Sequence, residues 1–211
     1  FNGLAAYESY AEKPFRFGNF TTMGELTIET GFNDAQISGY RRELSLDSAR
    51  TLVQFVHDGV RYARTAFISY PDNVMVLRFK ANAKGMQNLC FHYAPNPVST
   101  GKMQADGANG LVYRGALDSN GMQYVVRIQA VTHGGTLENS GQTLTIKGAD
   151  EVVFLITADT DYCINFNPDF HNPKTYVGVQ PEVTTEKWMK QAAERGYAQL
   201  FLRHFKDYSP L

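Results

Sequence analysis

The sequence predicts an all-β protein of antiparallel sheets stacked as a sandwich, followed by a helical tail. Period-two alternation of apolar and polar residues recurs from residue 20 to about 160. Gly-, Asn- and Asp-containing turn signals break that pattern at short spacing. No helical period appears until TTEKWMKQAAERGYAQLFLRHFKDY (184–208). Many short strands without interleaved helices pair antiparallel and bury one face against a second sheet. No internal repeat is evident, which argues against a propeller.

Residues 1–19, aromatic and mixed with Pro14, Gly18 and Asn19, read as an irregular lead-in. MGELTIET (23–30) alternates Leu26 and Ile28 against Glu25, Thr27 and Glu29, as a half-buried strand does. GFNDAQISG (31–39) reads as loop, and YRRELSLDSA (40–49) as a strand with Tyr40, Leu44 and Leu46 as its apolar set. TLVQFVH (51–57) and VRYARTAFISY (60–70) flank Asp58-Gly59, a hairpin signature, because a type I′ turn needs positive φ at both central residues. After Pro71-Asp72-Asn73, the strand 73–81 places Val74 and Val76 on one face and Met75, Leu77 and Phe79 on the other. That pattern predicts a central strand covered on both sides. Further strands are expected at 88–94, 110–117, 122–132, 142–148 and 150–158, separated by Asp106-Gly107, Asn120-Gly121, Gly134-Gly135 and Gly148.

Residues 159–183 read as a long Pro- and Asn-containing loop. The helix is expected after Thr184 as N-cap, with Glu186 in its first turn; Lys187 at the third position breaks the capping-box pattern. Trp188, Ala192 and Gly196 share one stripe, and Tyr197, Leu200, Phe201, His204 and Tyr208 continue an apolar face. Gly196 within the run costs about 1 kcal/mol relative to Ala, so one helix or two meeting near Gly196-Tyr197 both fit. The stripe with Leu200, Phe201 and Phe205 needs a partner, and is expected to fold back on the sheet or to mediate self-association. A β-domain closing on such a helix is expected to be the front part of a larger protein. Phe1 in place of an initiating Met is expected to mean that a segment precedes it.

Composition narrows the function. At 211 residues and 43% hydrophobic, the chain can bury a core without staples. Lys+Arg 20 against Asp+Glu 21 leaves net charge −1, which argues against a nucleic-acid partner. No apolar run approaches the ~18 residues of a membrane span. Cys90 and Cys163 could pair, but the burial habit of cysteine favours two free buried thiols.

Catalytic motifs are sparse. His57, His92, His133, His171 and His204 fall on separate elements without HxxxH spacing, and no CxxC, GxSxG, P-loop or GxGxxG occurs. Carboxylate pairs for glycoside chemistry could be drawn from Glu25, Glu29, Glu43, Asp47, Asp159 and Asp161. Most alternate outward as a solvated face would. Asp159 and Asp161, at the end of a strong strand, stand out, although a structural role accounts for them better. Sugar platforms favour exposed aromatic faces, and the single Trp188 lies on the expected helix.

The run 40–81 resembles the N-terminal domain of glycoside hydrolase family 95, which includes α-L-fucosidases and α-L-galactosidases. Tyr40, Arg42, Leu44, Leu46, Asp47 and Ala49 match its first strand pattern. Tyr62, Arg64, Phe67, Ser69, Pro71 and Asp72 match the second, with Thr65 where the family often has Glu; Val74, Val76 and Arg78 match the third. The segments 18–26 and 196–211, and the stretch around Asp150 and Tyr162, are also similar to the family. The resemblance implies a galactose mutarotase-like antiparallel β-supersandwich over 1–183, lacking its first strands. It further implies linker helices over 184–211 that lead into an (α/α)6 catalytic barrel. Family members invert, using carboxylate and Asn residues carried by that barrel. None falls within 1–211, so no catalytic, cofactor-binding or metal residue is assigned.

The expected function is therefore a non-catalytic domain of a glycoside hydrolase acting on α-L-fucosyl or α-L-galactosyl glycans. Its partners would be the downstream barrel and the oligosaccharide substrate, in the periplasm or outside the cell. The alternative is a stand-alone carbohydrate-binding or interaction module. A mutarotase-like isomerase would need a His and an acid converging in a cleft.

Overall fold

The computed structural model describes residues 21–169, 171–172 and 174–210. The lead-in expected over 1–19, and the start of the 18–26 motif, lie outside the described residues. Among the described residues, twelve strands form two wholly antiparallel sheets. The smaller sheet runs in the order β1 (Gly24–Glu29), β6 (Gln87–Pro95), β11 (Thr143–Ala149), β10 (Thr136–Asn139). The larger starts with β2 (Ile37–Ser45), β3 (Arg50–His57), β4 (Val60–Ser69) and β5 (Val74–Ala81). It continues through β12 (Glu151–Thr160), β9 (Gln123–His133), β8 (Gly110–Leu117) and β7 (Ser99–Ala105).

The Asp58-Gly59 hairpin is as predicted. Asp58 and Gly59 take φ 49 and 76, and the flanking residues pair His57 with Val60. Beyond β4, Asn73 at φ 49 turns the chain into β5.

The core between the sheets is built by alternation. Leu89, Phe91, Leu144 and Ile146 of the small sheet meet Phe79, Leu111, Ile128, Val152 and Phe154 of the large one. The opposite face of the large sheet is covered by a helical segment, α1 (Pro181–Tyr208). Phe67, Val74, Val76, Val153 and Leu155 pack there against Met189, Ala192 and Leu200. The prediction that the strand 73–81 is covered on both sides holds: Met75, Leu77 and Phe79 face the small sheet, Val74 and Val76 the helix. The tail folds back on the sheet, and Leu200 is completely buried.

Four details depart from expectation. Tyr40, Leu44 and Leu46 are 60%, 62% and 71% exposed, because β2 is an edge strand and the principal inter-sheet contacts run through β5, β8 and β9. β2 also starts earlier than expected, at Ile37, after a short 3₁₀ turn over Asp34–Gln36 that Asn33 caps. Edge strands β7 and β10 were not foreseen: STGKMQA has little apolar alternation, TLEN has four residues, and both are held by backbone pairing to one neighbour. The helix begins at Pro181, not after Thr184, because proline at the first position loses no intrahelical bond.

Gly196 settles the choice between one helix and two. At φ 69, ψ 169 it occupies a region reserved for glycine and splits α1 into two halves in continuous sequence. The buried stripe of the first half runs through Thr185, Met189 and Ala192, while Trp188 is half-buried beside it.

Candidate functional site at the helix-covered face

Two chemical anchors seat α1 on the large sheet. The first holds its N-terminus. Arg127 interrupts the apolar run of β9, and its side chain is only 5% exposed. Its Nη2 donates to Glu182 Oε1 at 2.6 Å, and its Nη1 to Asp106 Oδ2. Arg114 on β8 grips the same carboxylate, Nε to Oε2 at 2.8 Å and Nη2 to Oε1 at 2.7 Å. Arg114's hydrogen bonds first, and the charge of Arg127 with them, hold the Glu182 carboxyl below its ordinary range against the opposing effect of burial. Glu182 also lies in the first helical turn, where the macrodipole favours an anion. Thr157 of β12 donates to Thr185 O at 3.2 Å.

The second anchor holds the C-terminal half. Asp72, buried, accepts from Ser69 Oγ at 2.7 Å and from Arg203 Nε at 2.8 Å, with Arg195 Nη1 at 3.5 Å. His204 Nε2 lies 2.8 Å from Ser48 O, and its ring stacks on Phe67 at 5.0 Å. Tyr197 Oη lies 3.2 Å from Thr65 Oγ1, and the Arg78 guanidinium sits 4.4 Å over its ring. Thr65, the one departure noted in the family pattern, therefore touches the helix.

Clefts of about 370 Å³ flank each anchor. One is lined in part by Arg114, Gln123, Gln180 and Glu182. The other, lined by Ile68, Tyr70, Met75, His204 and Tyr208, is more apolar.

The structure gives Asp159 and Asp161 structural partners. Asp159 accepts from Thr184 Oγ1 and from Thr160 N, tying the end of β12 to the helix. Asp161, buried, accepts from Gln123 N at 3.0 Å and extends the β9–β12 pairing. Glu25 and Asp47 face solvent, and Glu43 pairs with Arg41. Cys90 and Cys163 are free; against the expectation of burial, Cys90 is half-buried and Cys163 exposed. His57 lies 3.4 Å from Asp58, while His133 and His171 are exposed.

One grouping escaped sequence reasoning: Glu29, Cys90 and His92 meet on the outer face of the small sheet. Cys90 Sγ is 3.2 Å from His92 Nε2, and Glu29 Oε1 is 3.6 Å from the same nitrogen. Spacing searches in one segment miss it, because the acid comes from β1 and the other two from β6. The Arg114–Arg127–Glu182 cluster was also missed; its signal is an arginine inside YVVRIQAV (124–131), which a buried strand tolerates only with an acid to meet it.

Residues 3–164 match the family described as glycosyl hydrolase family 65, N-terminal domain. The chain belongs to that family. Among curated relatives of this family 65-type N-terminal domain, "Probable alpha-fucosidase A" of Aspergillus niger is 30% identical over 207 residues, covering 93% of this chain and 25% of its own length. "Alpha-L-fucosidase 2" of Arabidopsis thaliana is 24% identical over 225 residues, covering 91% and 25%. The chain thus spans about a quarter of the curated relatives it matches. A solved structure, "Putative kojibiose phosphorylase from human microbiome", superposes with TM-score 0.58 at 10% identity over 87% of this chain and 27% of that one. At that identity the likeness shows the fold alone.

Proposed function

We propose that this chain is the non-catalytic N-terminal β-sandwich domain of an α-L-fucosidase-type glycoside hydrolase of family 95, acting on α-L-fucosyl or α-L-galactosyl glycans. The observation that carries the reading is the 30% identity, across 93% of the chain, to a protein named as a probable α-fucosidase. The family 95 patterns at Tyr40–Ala49, Tyr62–Asp72 and Val74–Arg78 support it.

In this reading residues 1–183 form the sandwich domain, and 184–211 the linker leading to an (α/α)6 barrel. The domain buttresses that barrel and shapes one rim of its pocket. Two observations support such a role. Both halves of α1 are clamped by charged anchors, which fixes the direction in which the chain leaves the sheet. Apolar side chains stand exposed through the preceding loop and onto the helix, among them Ile164, Phe166 at 90%, Val179 and Val183, a surface suited to a neighbouring domain. Asp159 and Asp161 each accept hydrogen bonds from neighbouring groups, which supports assigning the chemistry to the barrel. The parent protein is placed in the periplasm or outside the cell, which fractionation of the source cells tests.

The deciding experiment is sugar release from an α-1,2-fucosylated oligosaccharide, comparing the isolated chain with the polypeptide extended past Leu211. Release by the extended form alone supports the reading. Release by the isolated chain overturns it and returns attention to the two clefts beside α1. Glycan affinity of the isolated chain without hydrolysis would favour an independent binding module instead.

A further inference from the structure

We propose that Glu29, Cys90 and His92 form a metal site for a borderline-soft divalent ion, with zinc the best fit. The argument starts from strand geometry. Cys90 and His92 are two apart on β6 and so project from the same face. Glu29 is the direct cross-strand partner of Cys90 on β1. The opposite face carries Ile28, Leu89 and Phe91 into the core, which fixes these three side chains on the outer face.

The three ligand atoms lie within 4.8 Å of one another. A tetrahedral zinc with ordinary Zn–S and Zn–N bond lengths places sulfur and nitrogen about 3.6 Å apart, and nitrogen and oxygen about 3.3 Å apart. The observed separations are 3.2 Å for Sγ to Nε2 and 3.6 Å for Nε2 to Oε1. Closing the site requires only small rotations, and Glu29, with 68% of its side chain exposed, is free to make them.

The arrangement does not suit a cysteine nucleophile. A catalytic dyad uses one imidazole nitrogen toward sulfur and the other toward the orienting acid. Here sulfur and carboxylate both face Nε2, the convergence a chelated ion needs. Thiolate and imidazole select zinc or its cobalt substitute over magnesium or calcium. Three protein ligands leave the fourth position to water, while Thr145 Oγ1, 3.6 Å from Sγ, supports the sulfur. Binding displaces the thiol proton to solvent and ties edge strand β1 to its neighbour.

The test is titration of the full 211-residue chain with Co²⁺ alone, followed by displacement with Zn²⁺. The expected result is one cobalt per chain, with a thiolate-to-cobalt charge-transfer band and the intense visible bands of four-coordination. Cys163→Ser leaves that spectrum intact. Cys90→Ser abolishes the charge-transfer band, and His92→Ala and Glu29→Gln each weaken binding more than about tenfold. All three side chains point out of the core, and far-UV circular dichroism verifies that each variant is folded. A charge-transfer band that survives Cys90→Ser, a weak six-coordinate spectrum, or no binding at micromolar cobalt overturns the proposal.

Discussion

Arg127, buried in the middle of β9, donates from Nη2 to Glu182 Oε1 at 2.6 Å and so ties the first turn of the helix to a strand 55 residues earlier. A guanidinium in that position is tolerable only while acids meet it. Glu182→Gln is expected to destabilise the fold by about 2 kcal/mol, the scale of hydrogen bonds to charged groups. Asp106 remains on Arg127, which keeps the cost below that of a stranded charge. The same pair predicts a pH dependence. The Glu182 carboxyl is held below its ordinary 4.5, so its contribution is complete above about that pH and is lost as pH falls through the folded value. Urea melts of both proteins should therefore differ most near neutrality and converge in acid.

Gly196→Ala tests the break in α1. Apart from the adjoining backbone of its own helix, nothing lies within 4 Å of an added Cβ, so a clash with the packed neighbours is not the issue. The cost comes from φ 69, ψ 169, which an L side chain rarely adopts, and is expected at about 1–3 kcal/mol. A neutral or stabilising result in thermal melts would mean that the two halves can merge into one straight helix without losing the seat of Leu200.

How much of this was legible follows from where each signal lives. Strands that bury a face, such as β5 and β12, declare themselves through alternation or an apolar run. The Asp58-Gly59 turn declares itself because few residues accept positive φ. β7 and β10 do not, because an edge strand is held by backbone bonds that any sequence can make. Tyr40 and Leu44 looked like core, and are exposed, because alternation shows that two faces differ but not whether a second sheet reaches over them. Asp159 and Asp161 drew attention as acids at a strand end. Only the folded structure brings Thr184 to Asp159 and the Gln123 amide to Asp161. The Glu29–Cys90–His92 grouping depends on the β1–β6 register, which no single segment encodes.

The tyrosines between the sheets predict an alkaline transition. Tyr93, Tyr113 and Tyr124 are at most 9% exposed, their rings 5.4–5.7 Å apart in sequence along the cluster. Ser99 Oγ lies 2.7 Å from Tyr124 Oη and 3.2 Å from Tyr113 Oη, and Tyr93 Oη donates to Met23 O at 2.7 Å. Burial first, and the neighbouring phenols with it, raise Tyr93 and Tyr124 above the ordinary 10.0. A raised acid contributes stability that is full below its unfolded value and lost as pH rises through the folded one. Stability should therefore decline above about pH 10, with tyrosinate absorbance and near-UV circular dichroism changing together. Tyr93→Phe should cost about 1 kcal/mol at neutral pH, through the bond to Met23 O, and flatten that decline.

The helix contributes to the sandwich through one face only, and two leucines separate that face from the other. Leu200 is fully buried against the large sheet, whereas Leu202, two residues on, is 51% exposed. Leu200→Ala removes packed methyl groups and leaves a cavity, and is expected to destabilise by about 2–5 kcal/mol. Leu202→Ala should change stability by less than about 0.5 kcal/mol, as surface substitutions do. A chain ending at Gln180 should lose more than Leu200→Ala, because it also uncovers Val74, Val76 and Leu155 and leaves Arg127 with Asp106 alone. Urea melts of the three proteins beside the full chain check the order. If the shortened chain melts with the full one, the helix lends the sheet nothing, and its anchors serve only to direct the chain that follows.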